Sequence, residues 1–167
     1  MILWFIGLSG SGKTKLSKEL FRSKIIKSNF ISIDGDEFRE NFLDDLGHSY
    51  EDRKKNAERV SKLVKYLSNK NVNIIVSILS NYPKWLAWNR KNLKNYYQIY
   101  LKVDKKQLFS RNKKNLYLSK KKNVVGKDIK FNEPKKNDLI FKNNFKIRDI
   151  INLKKTILQI VKKNGIK

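Results

Sequence analysis

Residues 7–14 read Gly7-Leu8-Ser9-Gly10-Ser11-Gly12-Lys13-Thr14, which satisfies the pattern G-x-x-x-x-G-K-[ST] at every required position. The pattern carries meaning only between a strand and a helix. Both flanks comply: Ile2-Leu3-Trp4-Phe5-Ile6 is a short continuous apolar run, and residues 15–21 continue with Leu16 and Leu20 at helical spacing. Gly7, Gly10 and Gly12 let the chain curl so that backbone N–H groups, those of Ser9 and Ser11 among them, surround a phosphate at a helix N-terminus. Lys13 then reaches the β- and γ-phosphates, and Thr14 places its hydroxyl on Mg²⁺. The expectation is a nucleoside-triphosphate site.

A chain of 167 residues has room for one domain with a single sizeable core, spanning residues 1–167. Large multidomain ATPases are thereby excluded, and a small kinase built on this loop is favoured. There is no cysteine, so disulfides and thiolate zinc sites are excluded as well. Residues 2–6 are too short for a signal peptide and lack a basic flank, and no apolar stretch approaches membrane-spanning length. A cytoplasmic protein without a membrane partner is expected. The net charge of +24 raises the question of nucleic acid. Lysines such as Lys62, Lys65 and Lys70 are dispersed, however, with no basic-plus-aromatic RNA-binding signature. A solvated surface that draws in polyanionic nucleotides is the favoured reading, and a nucleic-acid-binding or polynucleotide-kinase protein is the alternative from another class.

The rest of the chain alternates strand and helix. Strand patterns fall at residues 30–33, 73–78, 97–101 and 138–141. Ser49 followed by Asp52 is a capping-box start for a helix carrying Ala57, Val60, Val64 and Leu67. Trp85 and Trp88 sit three apart on a helix entered at Pro83, a spacing suited to packing on the domain. Asp104 is placed to cap the next helix, and the last one, from Arg148, is expected to bury Ile150, Leu153, Ile157 and Val161. This pattern predicts an α/β fold: about five parallel strands, helices on both faces, and ligands at the strand C-termini. Residues 120–136, rich in Lys and Asn, read as a mobile lid with few apolar anchors and Gly126 as a hinge.

A second cluster, Asp34-Gly35-Asp36, stands at the end of the second strand. One carboxylate there can order Mg²⁺ through water while the other accepts a proton from an attacking hydroxyl. Arg53 and Asn56 lie three apart on one helix face, and a guanidinium beside an amide suits an anionic second substrate.

The phosphate loop, Asp34-Gly35-Asp36-x-x-Arg39, Asp45-Leu46-Gly47-x-Ser49, Glu51-Asp52-Arg53-x-x-Asn56 and Arg111-x-x-Lys114-x-Leu116-Tyr117 together resemble, in order and spacing, the adenylylsulfate kinases, as far as Pro134. The resemblance implies a P-loop nucleotide-kinase fold with a lid at about residues 112–136, and transfer of the ATP γ-phosphoryl to a ribose 3′-hydroxyl. It makes Asp36 the catalytic aspartate, with Asp34 grouped at the acceptor. Arg39, Arg53 and Asn56 would hold the phosphosulfate end, Arg111 would lie against the ATP base, and Lys114 and Leu116 would belong to the lid. A homodimer is compatible with the resemblance.

The departures concern the acceptor. Where the family clamps adenine between two phenylalanines, this chain has His48 and Val124. Base–aromatic stacking contributes about 1–3 kcal/mol per base, so losing both rings weakens adenine capture. Asn112-Lys113-Lys114-Asn115 replaces Asp-Pro-Lys-Gly, Ser80-Asn81-Tyr82-Pro83 lacks the arginine of Ser-Pro-Tyr-Arg, and the lid is shorter. His48 is the single histidine, which excludes a histidine metal cluster and a Ser-His-Asp triad, and it suits either a capping role or contact with a smaller base. The resemblance then implies the branch of the family that phosphorylates cytidine diphosphoramidate for capsule synthesis. Ordinary adenylylsulfate kinase activity is the alternative.

Overall fold

A computed structural model describes residues 1–42, 44–79, 82–111, 116–118, 120 and 122–166. The central strand β1 (Ile2–Ile6) is buried along its whole length. It pairs in parallel with β3 (Asn73–Ser77) on one side and β4 (Tyr96–Lys102) on the other. With β2 (Phe30–Asp34) and β5 (Leu139–Lys142) at the edges, the order is β2-β3-β1-β4-β5, all parallel.

Alternation along β1 sends its side chains into two separate cores. Ile2, Trp4 and Ile6 meet Val60 and Val64 of α4 (Tyr50–Asn69) and Leu86 of α5 (Pro83–Asn92). Leu3 and Phe5 meet Leu16 and Leu20 of α1 (Lys13–Phe21), Ile26 of α2 (Lys24–Asn29), and Ile150, Leu153 and Ile157 of α7 (Ile147–Lys163). Helix cover on both faces is why β1, and β3 from Ile74 to Val76, are apolar without a break. Trp85 and Trp88 pack edge to face with ring centroids 5.6 Å apart, beside Ala57.

Local signals hold where they are strong. Ser49 Oγ accepts from the Asp52 amide at 3.1 Å, and the Ser49 amide donates to Asp52 at 3.3 Å, closing the capping box of α4. Asp104 accepts from the Gln107 amide at 3.0 Å and caps α6 (Lys105–Arg111). Two helices depart from the sequence expectation. One is α2; the other, α3 (Gly35–Phe42), begins where the sequence suggests a turn. There Asp34 Oδ1 accepts from the Asp36 amide at 3.0 Å, so the Asp that signals a turn acts as a helix cap instead.

The expectation of few apolar anchors between residues 120 and 136 is overturned. Val124, Val125 and Phe131 are buried there, with Tyr117 just before them. Their spacing matches neither helix nor strand, so periodicity does not reveal them. A tight turn directs them inward: the Lys127, Asp128 and Ile129 amides all donate to the Val124 carbonyl. Gly126 sits inside that turn at φ +96°, and a Cβ there would stand 2.9 Å from Leu8 Cδ2 of the phosphate loop. Gly126→Ala is expected to lower stability by about 1–2 kcal/mol, a fall in Tm of roughly 2–8 °C. Thermal melts check this, and an unchanged Tm would show that the turn yields without strain.

Candidate active site

The loop after β1 opens into a cavity of about 500 Å³ at the C-terminal ends of the strands, where parallel α/β sheets bind ligands. Gly12, at φ +102°, delivers the chain into α1 with no side chain capping its N-terminus and no acidic residue in its first turn. The exposed N–H groups and helix dipole therefore face the cavity ready for an anion. Lys13 Nζ donates to the Gly7 and Leu8 carbonyls at 2.8 and 3.0 Å, which holds the ammonium over the loop. Ser9 and Gly10 line the cavity, Ser11 is buried beneath it, and the Tyr117 hydroxyl donates to the Ser9 carbonyl at 2.8 Å.

Thr14 Oγ1 donates to Asp34 Oδ2 at 2.8 Å. Asp34, grouped above with the acceptor contacts, thus lies against the phosphate-loop threonine. Asp36, two residues on at the start of α3, lines the same cavity.

The two arginines converge on the loop between α3 and α4. Arg39 Nη1 donates to the Gly47 carbonyl at 3.0 Å and approaches His48 Nδ1 at 2.9 Å. A guanidinium only donates, so Nδ1 is the acceptor and a neutral ring carries its proton on Nε2. Arg53 Nε donates to the His48 carbonyl at 3.0 Å, and Nη2 reaches the Asn123 carbonyl at 3.3 Å, beside Val124. Burial, reinforced by the like charge of Arg39, pulls the Arg53 pKa below its ordinary value, against the smaller opposing pull of Asp36. Two neighbouring guanidiniums that meet carbonyls and a ring nitrogen rather than carboxylates, with Arg39 Nε lacking a partner among the described residues, make a site that an anion would complete. Beside them, burial pushes the Tyr82 hydroxyl up to about 12, and it donates to the Tyr50 carbonyl.

Arg39, His48, Arg53, Arg111, Leu116 and Val124 all line the cavity. Asn56 does not: it is buried in α4, and its Oδ1 has no partner among the described residues. Lys114, Ser80 and Asn81 lie outside the described residues. Sequence reasoning missed the wall that follows β5. Asn143 Nδ2 donates to the Ser11 carbonyl at 2.8 Å, its Oδ1 accepts from the Phe145 amide at 2.8 Å, and the Arg111 guanidinium sits 4.3 Å over the Phe145 ring. The position of residues 143–145 just past a strand C-terminus is the one signal that points to them.

Fold, phosphate loop and cavity together define a P-loop kinase. The family model described as adenylylsulphate kinase matches residues 1–142. The chain belongs to that family and is an ATP-dependent nucleotide kinase. It is 38% identical over 170 residues to the cytidine diphosphoramidate kinase of Campylobacter jejuni subsp. jejuni serotype O:2, a match covering 97% of this chain and 95% of that one. It is 30% identical over 147 residues to the adenylyl-sulfate kinase of Staphylococcus carnosus, covering 84% of this chain and 74% of the relative. The APS kinase CysC of Mycobacterium tuberculosis, solved in complex with AMPPNP and APS, superposes with a TM-score of 0.83 at 24% identity, covering 96% of each chain, and shows the shared fold. No helix among the described residues is long and apolar enough to cross a membrane.

Proposed function

We propose that this kinase phosphorylates the ribose 3′-hydroxyl of cytidine diphosphoramidate, a step of capsule phosphoramidate synthesis. The 3′-oxygen attacks the γ-phosphorus of ATP, the bond to the β-bridging oxygen breaks, ADP leaves, and Asp36 accepts the hydroxyl proton. The observation that carries this reading is the cavity wall at the two clamp positions. His48 and Val124 both line it beside Arg39 and Arg53, so a smaller base meets a retained anion site. The near full-length similarity to a cytidine diphosphoramidate kinase supports it.

The Thr14 hydroxyl and Asp34 carboxylate, 2.8 Å apart, are hard oxygen donors and fit magnesium. Bound there with ATP, magnesium would neutralise charge developing on the β- and γ-oxygens. Arg111 and Phe145 offer flat faces for the ATP base.

A coupled assay of ADP release with cytidine diphosphoramidate, adenylyl sulfate, and oligonucleotides bearing free 3′- or 5′-hydroxyls tests the reading. The first is expected to give the highest kcat/KM, at least about tenfold above adenylyl sulfate, the scale of one lost stacking contact. A preference for adenylyl sulfate would end the rewritten-acceptor reading, and turnover of oligonucleotides would restore the nucleic-acid alternative.

A further inference from the structure

Three carboxylates line the cavity: Asp34, Asp36 and Glu40. Asp34 is held by Thr14, and Asp36 is the base of the proposed reaction. Glu40 is the one without a role so far, and its side chain is solvent-exposed where it lines the cavity. Lys and Arg outnumber Asp and Glu by 39 to 15, yet the Glu40 side chain makes no hydrogen bond or ion pair among the described residues. It follows Arg39 directly and lies one helical turn beyond Asp36. Residues four apart share a helix face, so Asp36 and Glu40 stand roughly 6 Å apart along α3.

An ionised carboxylate is a pure hydrogen-bond acceptor. Placed in a cavity that binds two polyphosphorylated molecules, it repels phosphate and sulfate oxygens and weakens their binding. Its presence becomes favourable when the acceptor turns an N–H group toward it. We infer that Glu40 is a specificity-determining residue that accepts a hydrogen bond from an amino group of the acceptor nucleotide. This rests on the acceptor reading above. Cytidine diphosphoramidate offers two such groups, the exocyclic amine of the base and the nitrogen on the terminal phosphorus. Both lie away from the 3′-hydroxyl, as Glu40 lies away from Asp36. At the terminal group a sulfate or phosphate, all oxygen, meets only repulsion, so a contact there selects against adenylyl sulfate, whereas adenine has an exocyclic amine of its own and a contact to the base selects only by where that amine is placed.

The test is steady-state kinetics of the full chain with Glu40→Ala and Glu40→Gln on three acceptors. Cytidine diphosphoramidate carries both amino groups, cytidine diphosphate only that of the base, and uridine diphosphoramidate exchanges the exocyclic amine for a carbonyl, keeping the nitrogen on phosphorus and a base donor only at ring N3. Glu40→Ala is expected to lower kcat/KM for cytidine diphosphoramidate about ten- to a hundredfold, mainly through KM, the range for a hydrogen bond to a charged group. The KM for ATP stays unchanged. The loss disappears for the analogue that lacks the contacted N–H, which identifies the source, and Glu40→Gln, which keeps a carbonyl acceptor, recovers part of it. An equal loss on all three acceptors would assign Glu40 a structural role, and no loss would make it a solvated surface charge; either overturns the inference. The parent enzyme separates this from the functional reading. If the parent prefers cytidine diphosphoramidate and Glu40→Ala is silent, the Glu40 assignment alone falls; if the parent prefers adenylyl sulfate, both fall.

Discussion

Alanine at Lys13 is expected to eliminate measurable phosphoryl transfer while the protein still folds. The ammonium is held over the phosphate loop by the Gly7 and Leu8 carbonyls, at the mouth of the uncapped α1 N-terminus. A triphosphate arriving there draws Nζ onto its β- and γ-oxygens, and the contact strengthens as charge develops in transfer. Electrostatic contacts of this kind contribute about 3 kcal/mol or more to the transition state, so kcat should fall by at least about a hundredfold. The structural cost is smaller. Two half-buried hydrogen bonds to carbonyls contribute about 1 kcal/mol each, and the apolar packing of α1 through Leu16 and Leu20 is untouched. Circular dichroism and a thermal melt establish the fold, and the coupled ADP assay measures the loss. A folded Lys13→Ala enzyme turning over near the parent rate would refute the phosphate-loop assignment.

Features written in consecutive residues are legible in the amino-acid sequence itself. The run from Ile2 to Thr14 specifies strand, loop and helix together, because each part constrains its neighbour. The Ser49–Asp52 box likewise depends on residues three apart. Ambiguity arises where one residue type serves two local geometries: Asp34 reads as a turn former but caps α3, and next to it a Cβ on Gly35 would stand 2.7 Å from Ile78 Cγ1, a closeness set by tertiary packing.

The site is legible in its membership more than in its pairings. Arg39, Arg53 and His48 are candidates individually. That His48 braces Arg39 through Nδ1, and Arg53 through its carbonyl, depends on how α3 and α4 bring a loop between them. The brace changes the meaning of His48. A ring read as either a loop cap or a contact to a smaller base spends one nitrogen orienting a guanidinium, so substitution there disturbs the anion site along with any base contact. Asn143 and Phe145 are invisible to local patterns because their partners, Ser11 and Arg111, are distant in sequence. For Asn56 helix spacing gives the face but not the depth of burial.

Asp36→Asn is expected to lower kcat about 10²–10⁴-fold, the range for loss of a general base, with the KM for ATP nearly unchanged. The amide keeps the shape of the side chain but cannot take up the proton released by the attacking 3′-hydroxyl. Asp36 sits in the first turn of α3, where a negative charge favours the helix by about 0.3–1 kcal/mol. The cap itself belongs to Asp34, whose Oδ1 accepts from the Asp36 backbone amide, and an asparagine at 36 keeps that bond. Stability should therefore fall only slightly, and the kinetic loss can be read as chemistry. Asp34→Asn makes the contrast: its carboxylate meets the Thr14 hydroxyl, so its loss should raise the KM for magnesium–ATP as well as lower kcat. Single-turnover measurements with excess enzyme separate the chemical step from product release. If kcat holds in Asp36→Asn while the KM for ATP rises, the two carboxylates have exchanged roles, and the proton goes to a group other than Asp36.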